Sequence, residues 1–256
     1  MARGVWAALL AGAVLWAAPL AGQDNFEIQV YAADLVTAGH TMLELHSNFT
    51  ATGRRGITDG IWPSEHAVHE TLELTHGFTP WFEVGWYVFT SIQAGGDWNW
   101  VGDHVRPRLR APENWHWPVG ASLSVEYGYQ RRAFSSDTWT LELRPIVDRR
   151  SGPWYWAVNP ALERALVGTD AQRGVEFAPG LTVTYDVTPA LTAGLEYYAS
   201  LGPVTGFDPV VEQQHQIFPV IDLNLSPDVE INFGLGVGLT PATDRLILKL
   251  ITGYRF

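Results

Sequence analysis

The last stretch of the chain places the strongest constraint on the fold. Residues 246–256 read LILKLITGYRF, and in an extended strand successive side chains point to opposite faces. One face then carries leucines, Thr252 and two terminal aromatic residues, whereas the other face includes Lys249 and Arg255. A closed barrel in a bilayer needs such a strand, with one face for lipid, one for the lumen and an aromatic residue at the interface. The stretch therefore predicts a transmembrane β-barrel.

The composition favours an all-β chain and narrows its function. The 256 residues suffice for one domain, and they include 25 glycines and 12 tryptophans with many short alternating runs. There is no cysteine, so disulfides and thiolate metal sites are excluded. The net charge of −11 argues against binding to nucleic acid, whose phosphates require a basic surface.

The first residues predict export. Residues 1–22 combine the basic Arg3, an apolar run over 5–15 and small residues before a polar stretch, which is typical of a secretory signal peptide. The apolar run is shorter than the roughly 20 residues of a spanning helix. The cleavage position stays open. We expect residues 23–39 to form an N-terminal arm or the start of the first strand, and residues 40–256 to form the barrel.

Twelve candidate strands fill the rest of the chain. They are 40–50, 66–78, 82–93, 104–111, 119–130, 138–148, 154–166, 174–187, 190–201, 214–225, 229–239 and 244–256. The connections after the even-numbered strands are mostly tight and proline-containing (78–81, 115–118, 150–153, 187–189 and 226–228), whereas those at 51–65, 94–103 and 202–213 are longer. Short periplasmic turns and longer extracellular loops are the asymmetry of outer-membrane barrels, and an even strand number places both termini in the periplasm.

Aromatic residues cluster at both ends of these strands. The short-turn end has Trp81, Trp115, Trp117, Trp154, Trp156, Tyr254 and Phe256; the long-loop end has Trp62, Trp98, Trp100, Tyr129, Phe134 and Trp139. Two aromatic girdles are expected where a barrel crosses two membrane interfaces.

Strand parity assigns charged residues to the lumen. Arg106, Arg108 and Arg110 form one inward row. Other polar residues assigned to the interior are Glu44, His46, Asn48, Glu73, Glu83, Glu126, Glu142, Arg144, Asn159, Glu163, Glu196, Asp222 and Asn224. Parity turns Glu70 toward lipid, which predicts either a place near the outer rim or a bulge.

Two interpretations of the charged lumen remain open. The charges could be ion pairs that fill a narrow barrel, since buried charges must be paired. Alternatively, opposed signs could orient a permeating solute, as charged rings do in selective pores. In the second case Arg106, Arg108 and Arg110 attract the solute, with Glu126, Glu142, Glu163 and Glu196 as counter-charges; Arg144 is a further candidate.

The spacing of the histidines, serines and acidic residues does not indicate a catalytic or metal site. His66 and His69 are three residues apart, which brings side chains together on a helix but separates them on a strand. A Ser–His pair on one strand would read His-x-Ser, and this triplet does not occur. Asp103-His104 is more typical of a solvated turn. We therefore expect no catalytic residue, no metal and no cofactor.

Several stretches resemble a known family of barrels. They are 70–81 (ETLELTHGFTPW), 142–146 (ELRPI), 194–198 (GLEYY) and 232–236 (NFGLG). Together they resemble outer-membrane barrels of the meta-pathway phenol-degradation family, which implies passage of small molecules, aromatic ones included. The last strand also resembles those of Gram-negative outer-membrane proteins, in which the final aromatic is recognised by the barrel-assembly machinery. The resemblance gives Tyr254 and Phe256 the role of assembly signal.

The sequence therefore predicts a monomeric, twelve-stranded, up-and-down antiparallel barrel in the outer membrane, in contact with its lipid. The leading function is a passive channel or transporter for a small solute. One alternative is a closed structural barrel whose long loops bind at the surface. A second alternative, with less support, is an interfacial lipid or peptide hydrolase, and alanine substitutions at His46, His69 and His104 would test it.

Overall fold

The computed structural model describes residues 25–256, and the predicted signal peptide lies outside this part of the chain. Twelve antiparallel strands form a closed barrel in sequence order, which confirms the expected fold. The strands are β1 (Thr41–Thr52), β2 (Val68–Thr79), β3 (Phe82–Ile92), β4 (Trp98–Arg110), β5 (Gly120–Gln130), β6 (Asp137–Ser151), β7 (Trp154–Gly168), β8 (Val175–Thr188), β9 (Leu191–Ser200), β10 (Gln214–Leu223), β11 (Val229–Gly238) and β12 (Leu246–Arg255). No helix in this part of the chain is long and apolar enough to cross a membrane.

The last strand closes the barrel. β12 pairs with β11 on one side and with β1 on the other, so that Thr252 lies opposite both Ile231 and Leu45. This double pairing leaves no sheet edge, which a bilayer requires because lipid cannot satisfy unpaired backbone groups.

The two ends of the barrel differ as expected, with two corrections. Residues 93–97 form a compact hairpin because β4 begins at Trp98, so the long loop predicted over 94–103 is wrong. The turn predicted at 115–118 belongs to a longer connection that contains a 3₁₀ turn, Glu113–Trp115. The longest loops, 53–67 and 201–213, lie at the end opposite the termini.

The outer surface of the barrel is apolar. Leu45, Leu74, Leu123, Leu143, Leu181, Leu195, Phe233 and Leu250 are among the exposed side chains. An apolar surface that surrounds a whole barrel marks contact with lipid. Trp81, Trp115, Trp154 and Tyr254 are exposed at one end and Trp98, Trp100 and Trp139 at the other. The predicted position of Trp62 and Phe134 in the girdle at the long-loop end is wrong. Trp62 packs against Phe134, and Phe134 packs against Phe26 over the mouth of the lumen.

Strand parity predicts the inward face correctly along the strands. Ser124 and Glu126 are buried, whereas Leu123 and Tyr127 are exposed. Asn224 lies in the turn beyond β10, where it also faces the lumen and donates to Thr192 at 3.1 Å.

The structure decides between the two predictions for Glu70, a place near the outer rim or a bulge. It pairs with Ser47 and Thr90 without a register shift at this point, so no bulge turns it inward. It lies near the outer start of β2, which fits a place at the outer rim.

Residues 25–36 form an arm that lies inside the barrel, and the exposed residues 37–40 connect it to β1. Polar side chains of the barrel wall bind the arm backbone, which has no neighbouring strand. Asn159 binds the main chain of Tyr31 twice, accepting from its N–H at 2.7 Å and donating to its carbonyl at 3.0 Å. Asp148 accepts from the N–H of Ala33 at 2.9 Å, and Glu83 accepts from Val36 at 2.6 Å. Buried backbone groups require such partners.

The apolar side chains of the arm build the interior of the barrel. Phe26 packs with Tyr87 and Phe89, and Ile28 packs with Phe218 and other residues of the opposite wall. Near the short-turn end the arm passes directly over Gly77, where a Cβ would lie 2.2 Å from the carbonyl oxygen of Val36. Glycine is therefore required for this close approach.

Arginine on the outer face tests the lipid contact. We expect Leu250→Arg, at the middle of β12, to lower the free energy of unfolding by about 2–4 kcal/mol, because it places a charge near the bilayer centre. Leu246→Arg, on the same face at the strand end, should cost less, about 0–1 kcal/mol. Urea unfolding of the barrel in lipid vesicles measures both, and equal costs would contradict the assigned depth.

Candidate functional site

The arm divides the lumen into two cavities. The lower cavity, at the short-turn end, has a volume of about 1370 Å³ and is lined by Arg106, Arg108 and Arg110 together with ten carboxyl side chains. The upper cavity, at the long-loop end, has a volume of about 250 Å³ and is lined by Glu126, Glu142 and other polar residues. The predicted lumen residues therefore fall into two separate groups.

Arg106 lies at the centre of the lumen and is only 2% exposed. Its Nη2 donates to Glu73 Oε1 at 2.7 Å. The guanidinium also stacks on two rings, 4.2 Å from the centroid of Tyr31 and 5.0 Å from that of Tyr87. The negative ring faces and the carboxylate together stabilise a positive charge that burial alone would make costly.

Arg108 and Arg110 connect the barrel wall to the arm. Arg108 forms an ion pair with Glu83 at 2.6 Å and donates to the backbone carbonyls of Ala32 and Asp34. Arg110, which is more exposed, pairs with Asp34 at 2.7 Å and with Glu113 at 2.9 Å. The three arginines thus form the predicted inward row, and each one has its own acidic partner.

Arg144 belongs to the upper part of the lumen. Its Nε lies 2.6 Å from Glu142 Oε1, and its Nη1 lies 3.4 Å from Glu27 on the arm. The guanidinium also faces the ring of Tyr31 at 4.9 Å. Tyr31 therefore lies between arginines of both cavities.

The predicted counter-charges have other partners. Glu126 pairs with His104, Nδ1 to Oε1 at 2.5 Å, and Glu196 pairs with the buried Lys249. No ion pair to Glu163 is present among the described residues. Arg106, Arg108 and Arg110 pair instead with Glu73, Glu83, Asp34 and Glu113, so the glutamates predicted as counter-charges form no direct ion pair with the arginine row among the described residues.

The rim of the upper cavity holds charged loop residues. Burial raises the pKa of the Asp170 carboxyl, and the neighbouring Asp137 raises it further. Burial lowers the pKa of the Arg54 guanidinium, an effect that Asp244 opposes. Arg54 also donates to the carbonyl of Trp62 at 2.6 Å, which fixes this loop over the mouth.

One group of side chains has the composition of a metal site. Glu44, His46 and Glu73 each place a ligand atom within 4.8 Å of the others. Arg106 already binds Glu73, however, and its positive charge would repel a cation at the same carboxylate. We interpret the group as part of the Arg106 ion-pair network.

Sequence reasoning missed the residues of the arm. Glu27 and Tyr31 contact Arg144 and Arg106, but the short alternating run 26–31 indicates only an extended segment and not its position. Parity predicts that Lys249 lies on the face opposite the lipid-facing leucines, but it does not predict the pair with Glu196, which joins two strands that are not neighbours.

Comparisons with known proteins support the fold. No protein-family model matches the sequence, and no curated protein is significantly similar to it. The COG4313 outer membrane channel from Pseudomonas putida F1 superposes with a TM-score of 0.59 at 11% identity, over 90% of this chain and 100% of that chain. The KdgM porin superposes with a TM-score of 0.55 at 10% identity, over 84% of this chain and 99% of that chain. The NanC porin superposes with a TM-score of 0.55 at 11% identity, over 84% of this chain and 98% of that chain. The chain therefore has the fold of outer-membrane porins and channels.

Removal of one partner tests the central ion pair. We expect Glu73→Gln to lower the free energy of unfolding by about 3 kcal/mol, since it leaves the buried Arg106 unpaired. The double variant Glu73→Leu/Arg106→Met should recover most of this loss. Glu113→Gln, which changes an exposed partner of Arg110, should have little effect. Urea unfolding compares the variants, and similar costs for Glu73→Gln and Glu113→Gln would contradict the central role.

Proposed function

We propose that the protein is exported and acts as a passive channel for a small solute in the outer membrane. The observation that carries the proposal is the pair of polar cavities on either side of the arm in a closed barrel with an apolar exterior. The porin fold of the structural neighbours supports it. We further propose a monomer inserted by the barrel-assembly machinery through Tyr254 and Phe256, both of which are exposed at the end of β12.

The arm would control conduction in such a channel. Twelve strands enclose a space between that of eight-stranded barrels, which side chains fill, and that of larger open porins. Here the arm occupies the centre, and its backbone is bound by side chains of the wall instead of a continuous ladder with a neighbouring strand. A solute must pass beside the arm or displace it.

Conductance of the refolded protein tests the proposal. In planar bilayers we expect salt-dependent openings from the mature chain and larger, more frequent openings after deletion of residues 25–38. Gly77→Ala should increase openings without a deletion, because the new Cβ collides with the arm at Val36. A correctly folded barrel that stays closed in all three forms would refute the channel.

The arginine row would set the ion selectivity. We expect Arg106→Gln/Arg108→Gln/Arg110→Gln to shift the reversal potential in a KCl gradient toward cation preference, because positive charge leaves the pathway. Arg110→Gln alone should give a smaller shift of the same sign, and it keeps the buried pairs intact. Arg132→Gln, an exposed residue of an outer loop, serves as the control. An unchanged reversal potential would show that the arginines do not set the ion selectivity.

A closed barrel with a surface-binding role is the second candidate. The observation in its favour is the arm itself, whose apolar side chains complete the interior as a protein core. Activity would then depend on the longest loop. Deletion of residues 56–60 should abolish surface binding in this case, whereas it should leave solute uptake through a channel measurable.

A further inference from the structure

Four glutamates form a row across four neighbouring strands of the lumen wall. Glu126 on β5 lies directly opposite Glu142 on β6. Glu142 lies opposite Glu163 on β7, and Glu163 lies opposite Glu176 on β8. All four line the upper cavity. Like charges directly opposite each other in a sheet are destabilising, so a row of four needs a compensating interaction.

The surrounding cations compensate this row only in part. Arg144 pairs with Glu142, His104 with Glu126, and Arg173 with Glu176 at 2.9 Å. Glu163 has no hydrogen bond or ion pair within residues 25–256. The whole cavity is lined by eight carboxyl side chains and three arginines, so its acidic side chains outnumber the arginines.

Buried acceptors without partners also face this cavity. Gln216 is 3% exposed and lines the cavity, yet its amide oxygen accepts no hydrogen bond from the described part of the chain. Oε2 of Glu126 accepts none either, and neither ring nitrogen of the buried His69, one an acceptor and one a donor, has a hydrogen-bond partner there. Buried polar atoms are normally paired, so these positions indicate space prepared for a donor.

Aromatic rings also line this cavity. The Phe134 ring lies 5.3 Å from Trp62 and 6.4 Å from Phe26, measured between ring centroids. All three residues line the same cavity as the glutamates. The backbone N–H of Trp62 donates to Ala133 at 2.7 Å, which ties the two loops together over the mouth.

We propose that the upper cavity binds a small organic ammonium ion. The glutamate row would neutralise its charge, and the rings of Phe26, Trp62 and Phe134 would cover its apolar part through cation–π and hydrophobic contacts. The cavity volume of about 250 Å³ lies just below the range of roughly 300–1,000 Å³ for drug-sized ligands, which suits a small ion.

Other ligand classes fit the lining less well. An anion would meet the surplus of carboxylates. A divalent metal ion prefers oxygen ligands on all sides, which the aromatic part of the lining does not supply. The role of the ammonium ion as a permeating solute rests on the channel function proposed above, whereas its binding does not.

Isothermal titration of the full mature barrel in detergent micelles tests the site. Benzylammonium, whose N–H groups can donate to the unpaired acceptors, is the probe; benzenesulfonate is its anionic counterpart, and CaCl₂ tests metal binding. We expect the barrel to bind the first and not the second. Glu163→Gln should weaken binding about tenfold, and Trp62→Leu about threefold, in line with the loss of one cation–π contact. Glu230→Gln removes one carboxylate from the lower cavity and should leave the affinity unchanged.

The outcomes separate this inference from the channel proposal. Glu163→Gln should refold at least as well as the parent protein, because it relieves repulsion from Glu142 and Glu176, and Trp62→Leu provides a second variant. Equal binding of benzenesulfonate, binding of Ca²⁺ alone, or an affinity unaffected by both variants would overturn the site. A barrel that conducts without binding refutes the site alone, and one that binds without conducting refutes the channel alone.

Discussion

The pairing of charges inside the barrel is the constraint on which the rest of the structure depends. A charge removed from water is costly unless a partner and further hydrogen bonds compensate it. Arg106 meets this requirement with Glu73 and two tyrosine rings, one of which, Tyr31, comes from the arm. The wall alone therefore does not complete the environment of its central arginine.

The arm provides what neighbouring strands provide elsewhere in a sheet. Its backbone groups bind Asn159, Asp148 and Glu83 of the wall, and its apolar side chains fill the centre of the lumen. Each of these bonds joins a different strand of the barrel to the same segment. The arm thus stabilises the interior and obstructs it at the same time, which explains why one structural element supports both the channel and the closed-barrel hypotheses.

Strand parity predicts which face of the sheet a side chain occupies, but it does not predict the depth of the side chain along the barrel axis or its ion-pair partner. It placed Arg106, Glu126 and Lys249 in the lumen correctly, because side chains alternate regardless of context. Ion pairs depend in addition on the register between strands and on the tilt of the barrel, which a single sequence does not display. Trp62 and Phe134 were misplaced for a related reason: loop residues have no fixed alternation, and here the loops fold over the mouth.

The charged side chains of the lumen are distributed over both cavities. In the lower cavity each residue of the arginine row has an acidic partner, and the carboxyl side chains of the whole lining outnumber its arginines. In the upper cavity the row of glutamates exceeds the cations around it. A solute arriving from the long-loop end therefore meets the row of glutamates before it meets the arm and the arginine row. In the proposed channel both rows would act on the charge of the solute, and the arm between them would limit the rate of passage.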